Sequence, residues 1–113
     1  MLNECKLALR ITTDAYDGEL CRLMEAGARD LEIAGVVLPG TVTFTETQSS
    51  GTVTWSDNSE MDDQLVVRAI LTYVRMNFGS PSDYERLRES YNVQKVQLMH
   101  AAAYTSYDGG DCR

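Results

Sequence analysis

The chain has 113 residues, 43% of them hydrophobic and 24% charged, which is the composition of one ordinary globular domain. A domain of this length buries about two thirds of the surface its unfolded chain exposes, enough for a single modest core. Ten Lys and Arg against seventeen Asp and Glu give a net charge of −7, which argues against ordinary binding to phosphate backbones. Such a balance still lets nucleic acid slide past an acidic wall, since repulsion prevents sticking.

No membrane span is expected. The longest apolar stretch, Leu65 to Val74, is interrupted by Arg68 and Thr72 and falls well short of a bilayer. Met1 to Arg10 mixes charged and apolar groups rather than forming a signal peptide, so the protein is expected to stay where it is made. Cys5, Cys21 and Cys112 form no close pair, and His100 has no Cys or His at ligand spacing, so neither zinc nor any other cofactor is expected. Cys5 and Cys21 read as buried packing groups, Cys112 as an exposed residue of the tail.

In chain order, Asn3 to Leu9 reads as a short helix with Asn3 as its cap. A second helix is expected from about Ala15 to Ile33, capped by Thr13 or Asp14, with Asp17 and Glu19 at the positive end of its dipole. Its apolar face is Leu20, Leu23, Met24, Gly27, Ala28, Leu31 and Ala34. Gly35 suits a left-handed stop. Gly27 and Ala28 either admit a close neighbour or are simply tolerated.

Val42–Glu46 and Thr52–Ser56 alternate at period two around Thr47–Gly51, a β-hairpin signal. Pairing Phe44 with Val53 and Val42 with Trp55 puts four large apolar groups on one face and the threonines on the other. Two strands alone are marginal, so that face must rest on the helical body or on another chain. A third helix, Gln64 to Asn77, starts at Asp62 or Asp63. It is apolar nearly all round, leaving a strip of Gln64, Arg68, Thr72 and Arg75, and so belongs in a core or at a subunit contact. Gly79 ends it. Ser80-Pro81-Ser82-Asp83 then opens a fourth helix, with Ser80 as cap and Pro81 in its first position. Tyr84, Leu87, Tyr91, Leu98 and Ala102 form its stripe. The segment from Tyr104 to Arg113 lacks periodicity and is expected to be extended. The fold class is mainly α: a small bundle of about four helices with a hairpin inserted near residues 41–56. It forms one domain over 1–103, with the insertion at 37–61 and a tail at 104–113.

Catalytic patterns are missing from the sequence. A single histidine forms no Ser-His-Asp or Cys-His pair, no phosphate-binding glycine loop stands between strand and helix, and Asp62-Asp63 and Asp14/Asp17 read as helix starts. The expectation is a protein that is not an enzyme. Phe44 and Trp55 in the hairpin, and Tyr104 and Tyr107 in the tail, are hard to fit into one small core and suit a protein interface. With Arg68, Arg75 and His100 they make up the candidate interface set.

Several words in order resemble a known family. Leu7-Ala8-Leu9-Arg10-Ile11-Thr12 leads into a helix opening Asp17-Gly18-Glu19-Leu20 and closing Asp30-Leu31-Glu32-Ile33-Ala34-Gly35-Val36. Then come Ala69 to Gly79, reading AILTYVRMNFG, and Arg86-Leu87-Arg88-Glu89-Ser90-Tyr91. Over residues 5–36 and 65–98 this resembles the head–tail connector (adaptor, head-completion) family of long-tailed bacteriophages and prophages. Residues 37–62 and those after His100 carry no matching motif. The resemblance implies a structural role without catalysis, in a virion at the head–tail interface after assembly in the host cytoplasm. Members form rings, commonly dodecameric, under the portal protein. The ring extends the DNA channel, through which DNA passes without specific binding, and gives the stopper and tail-completion proteins a platform. The alternative from composition is an acidic inhibitor or DNA mimic, which requires carboxylates spaced like phosphates along one face; here they are interspersed with Arg and Lys on the helices.

Overall fold

The computed structural model describes residues 1–79 and 81–108, with side-chain environments through His100. Its elements are α1 (Leu2–Leu9), α2 (Asp17–Ile33), β1 (Phe44–Ser49), β2 (Thr52–Asp57), α3 (Gln64–Asn77) and α4 (Tyr84–Asp108). The architecture is the expected one, mainly helical with a two-stranded antiparallel hairpin. No helix among the described residues is long and apolar enough to cross a membrane.

The apolar α3 lies at the centre, packed against α1, α2 and α4. Its span matches the expected one, and Asp63 is the cap: its carboxylate accepts from the Leu65 and Val66 amides at 2.9 and 3.4 Å. Val66, Ala69, Ile70 and Val74 meet Leu20, Met24 and Leu31 of α2 in one core, which Leu87, Tyr91 and Leu98 of α4 complete. Cys5 and Cys21 are fully buried in it, as expected of packing groups. The end of α2 follows from its sequence. Gly35 takes φ +100, the Val36 amide donates to the Leu31 carbonyl and the Gly35 amide to that of Glu32, and Val36 folds back onto the core.

Gly27 on α2 proves to be a close-approach position. A Cβ there would stand 3.0–3.3 Å from Tyr73 of α3, whose ring packs edge-on against Tyr91 at 5.4 Å. Tyr91 in turn donates its hydroxyl hydrogen to Asp30, which also accepts from Lys95 at 3.3 Å. Burial, reinforced by the Asp30 carboxylate, pushes the Tyr91 hydroxyl well above the usual tyrosine range. The second half of α2 is thus tied to both later helices.

Five expectations are corrected. The hairpin register is Phe44 opposite Asp57, Glu46 opposite Trp55 and Gln48 opposite Val53, not Phe44 with Val53 and Val42 with Trp55. The turn is the cause: Ser50 and Gly51 take φ 52 and 78, a two-residue connection with both residues left-handed, so the strands run on to Ser49 and Thr52. The two registers differ by an even step, so Phe44, Val53 and Trp55 still share a face. At α1, Asn3 does not cap. The helix starts at Leu2, and Asp57, from the end of β2, accepts from the Leu2 amide at 2.9 Å and from the Met1 ammonium. α2 starts at Asp17, after a turn and without a side-chain cap: Thr13 accepts from the Ala15 amide at 3.2 Å ahead of the helix, and the Asp14 carboxylate is held by Lys6 at 2.6 Å. Finally, α4 starts at Tyr84, after a turn at Ser82 and Asp83, so Pro81 precedes it; Ser80 lies outside the described residues. The same helix continues through Tyr104 and Tyr107 to Asp108 instead of giving way to an extended tail. Ala101-Ala102-Ala103 are strong helix formers, and lengthening an existing helix carries no nucleation cost. Cys112 lies outside the described residues.

Candidate interaction surfaces

The candidate residues fall into three places. Phe44 and Trp55 are half-buried at the root of the hairpin, on its own α2. The Trp55 ring lies 3.2–3.4 Å from where Gly18 would carry a Cβ, and the Arg22 guanidinium stands 5.7 Å from the ring centroid. The Phe44 amide donates to the Glu25 carboxylate at 3.3 Å. The helical body therefore covers much of the area the sequence assigned to an interface. Beyond this root nothing covers the hairpin: every residue from Thr45 to Thr54 is exposed, Val53 among them.

Arg68 and Arg75, seven residues apart and so two turns along the same side of α3, are both exposed. They line a surface cleft of about 310 Å³ between α1 and α3, with Glu4, Ala8, Val67 and Leu71. A second cleft of about 440 Å³ shares Ala8 and Arg75 and adds Arg10, Phe78, Pro81 and Leu87. The two clefts adjoin along α3 as one groove, lined by three arginines together with the apolar Val67, Leu71 and Phe78. Arg10 was not singled out from the sequence. Its left-handed conformation at the end of α1, φ 58 and ψ 42, brings it to the groove, and no local pattern marks that. Among the described residues none of the three arginines has a carboxylate within ion-pair distance, whereas Lys6, Arg29, Arg86, Arg88 and Lys95 all do.

Charge is also unevenly placed along the chain. Between Arg29 and Arg68 there is no Lys or Arg, and the seven carboxylates of that stretch (Asp30, Glu32, Glu46, Asp57, Glu60, Asp62 and Asp63) equal the whole net charge of −7. This asymmetry was legible in the sequence. The hairpin belongs to the acidic stretch, the groove to the balanced remainder.

The third place is α4. His100 is exposed, as are Val93, Val96 and Met99, so the helix carries apolar side chains away from the core as well as toward it. Tyr104 and Tyr107 belong to its last turns; their side chains lie outside those described.

The ionisable groups serve structure. Burial pushes the Cys5 thiol up to about 11 and the Cys21 thiol to about 12, which leaves both as unreactive packing groups. Partial burial tends to raise the Asp57 carboxyl, but hydrogen bonds from the Met1 ammonium, the Leu2 amide and Ser59 outweigh it and hold the group down at about 2. Among the described residues no three His, Cys, Asp or Glu side chains gather to hold a metal ion. What the exposed chemistry offers is protein contact: an arginine groove, a bare hairpin and a helix with apolar side chains in solvent.

A model of the phage connector protein family matches residues 1–105. The chain belongs to the phage connector protein family. No curated protein and no solved structure matches it.

The family match reaches further than the motif words did. It spans residues 37–62, which contain the hairpin, and continues along α4 to Thr105. Membership makes this a structural component of a phage particle, at the junction of head and tail and in contact with other head and tail proteins. It points away from enzymatic activity.

Proposed function

We propose that this connector assembles as a ring, commonly a dodecamer in the family it resembles, beneath the portal protein. There it extends the DNA channel and offers the docking platform for stopper and tail-completion proteins. The observation that carries the reading is the set of surfaces a single copy leaves open: the hairpin beyond its root, the arginine groove of α1 and α3, and the exposed apolar side chains of α4. A ring needs one patch that meets a different patch on the next copy, and the long helices and the hairpin supply candidates for both. The end of α4 and the residues after it are assigned to the portal. An acidic excess suits a channel wall, because DNA near it is repelled and not held. An inhibitor that mimics DNA fits less well, since many carboxylates on and beside the helices are paired with cations, as in Arg29–Glu32, Arg86–Asp83 and Lys95–Asp30.

Light scattering of the purified chain, alone and mixed with the portal protein of its own phage, tests this reading. A ring or a stoichiometric portal complex supports it; a chain that stays monomeric and ignores the portal refutes it. Removing residues 103–113 should abolish portal binding and leave the fold intact, and unchanged binding would overturn the assignment of α4.

A further inference from the structure

We infer that the arginine groove between α1 and α3 receives the hairpin tip of an adjacent copy, with Glu46 meeting Arg68 and Arg75. This rests on the ring-forming reading and names the two patches that would join.

Three independent features lead there. The first is the uncovered tip. A two-stranded ribbon is marginal alone, yet Thr45 to Thr54 touch nothing that buries them. Glu46, Gln48 and Val53 continue the face on which Phe44 and Trp55 pack at the root, and Val53 is 47% exposed there. The opposite face is threonine and serine. The tip thus presents one carboxylate and one apolar side chain on a single side, with no cation of its own.

The second is the groove. Val67, Leu71 and Phe78 give it apolar surface, and its three arginines have no acidic partner within ion-pair distance among the described residues. The two acids beside it are already engaged: Glu4 lies 3.8 Å from the Met1 ammonium and Asp83 lies 3.2 Å from Arg86. No hairpin residue lines the groove, so a copy does not fill its own site.

The third is fit. The α3 side of the groove runs about 20 Å at 1.5 Å per helical residue, and the five residues from Thr45 to Ser49 span about 16 Å as a strand. One acidic strand, with Val53 beside it on β2, therefore matches in length one groove lined by arginines. Because the two patches are different surfaces of the same chain, the contact is heterologous, and repeating it closes a ring or continues as a filament.

Charge reversal with rescue provides the test, read as the midpoint of self-association by sedimentation velocity, for the chain alone and on portal protein. Glu46→Arg should weaken assembly by at least about tenfold, and so should Arg68→Glu combined with Arg75→Glu. Joining Glu46→Arg to the two arginine reversals should restore assembly to within about threefold of the wild type, because the pairing is re-made with opposite sign. All three positions are exposed, so far-UV circular dichroism should stay unchanged; where a reversal does disturb the fold, Glu46→Gln and Arg75→Gln give the same comparison. Variants that assemble like the wild type, or a combined variant weaker than either parent, overturn the inference and leave the ring reading standing. A wild-type chain that never associates, with or without the portal, overturns the ring reading itself and this inference with it.

Discussion

Replacing Tyr91 by Phe isolates the link that ties α4 to α2. Tyr91 is 2% exposed, and its hydroxyl donates to Asp30, whose cationic partner, Lys95, stands at 3.3 Å. A hydrogen bond to a charged group contributes about 1.5–3 kcal/mol. Asp30 is open enough to regain a water, its side chain being 38% exposed, and it keeps Lys95, so the loss should fall near the lower end, about 1.5 kcal/mol. For a domain of this size that corresponds to a Tm lower by about 6 °C, or a urea midpoint lower by about 1 M. The substitution should also change the alkaline limb. The Tyr91 hydroxyl titrates above its ordinary value in the folded state, because of burial first and the carboxylate second. Its contribution is therefore fully present below about pH 10 and lost as the pH rises beyond that. Tyr91→Phe should remove that loss, so the gap between variant and wild type narrows above about pH 10. Tyr73→Phe is the control at pH 7. Tyr73 packs edge-on against the same ring, but its hydroxyl has no hydrogen-bond partner among the described residues, and its removal should change stability by less than about 0.5 kcal/mol. Urea unfolding followed by circular dichroism at pH 7 and pH 11 reads all of this. A Tyr91→Phe midpoint within about 0.2 M of the wild type, or one matching Tyr73→Phe, would refute the assignment.

Two further outcomes follow from the packing and the titration. Gly27→Val should cost about 2 kcal/mol in thermal unfolding, because its side chain must enter the 3.0–3.3 Å space against Tyr73 and helix packing there cannot absorb it; a neutral effect would mean that α3 moves freely away from α2. On the acid side, Asp57 has its folded value held at about 2, below that of an unfolded aspartate, so its contribution is present above about pH 4 and lost as the pH falls toward 2. Asp57→Asn should flatten that acid limb of stability, and an unchanged slope between pH 4 and pH 2 would remove Asp57 as the cap of α1.

The sequence carried the local features because local chemistry causes them. Asp63 before an apolar run marks the start of α3 because a carboxylate at that position satisfies amides two and three residues on. Gly35 ends α2 because the backbone there requires a positive φ. The shared face of Phe44, Val53 and Trp55 follows from the period of a strand. The register was also within reach, since Ser50-Gly51 is a sequence suited to a two-residue turn; a wider loop would shift every pair while leaving the faces intact. The continuation of α4 was legible in its alanines and was obscured by the Tyr, Asp and Gly that follow them.

Tertiary structure decided what joins distant positions. Asp57 caps a helix 55 residues away in sequence, Tyr91 meets Asp30 across 61 positions, and Arg10 comes to the groove of Arg68 and Arg75 only through the turn at the end of α1. Periodicity records which face of an element is apolar; it carries nothing about which element that face will meet. The sequence therefore determined a mainly helical connector with a hairpin and an excess of acid. The packing of α1 against α3 turned three separated arginines into one surface.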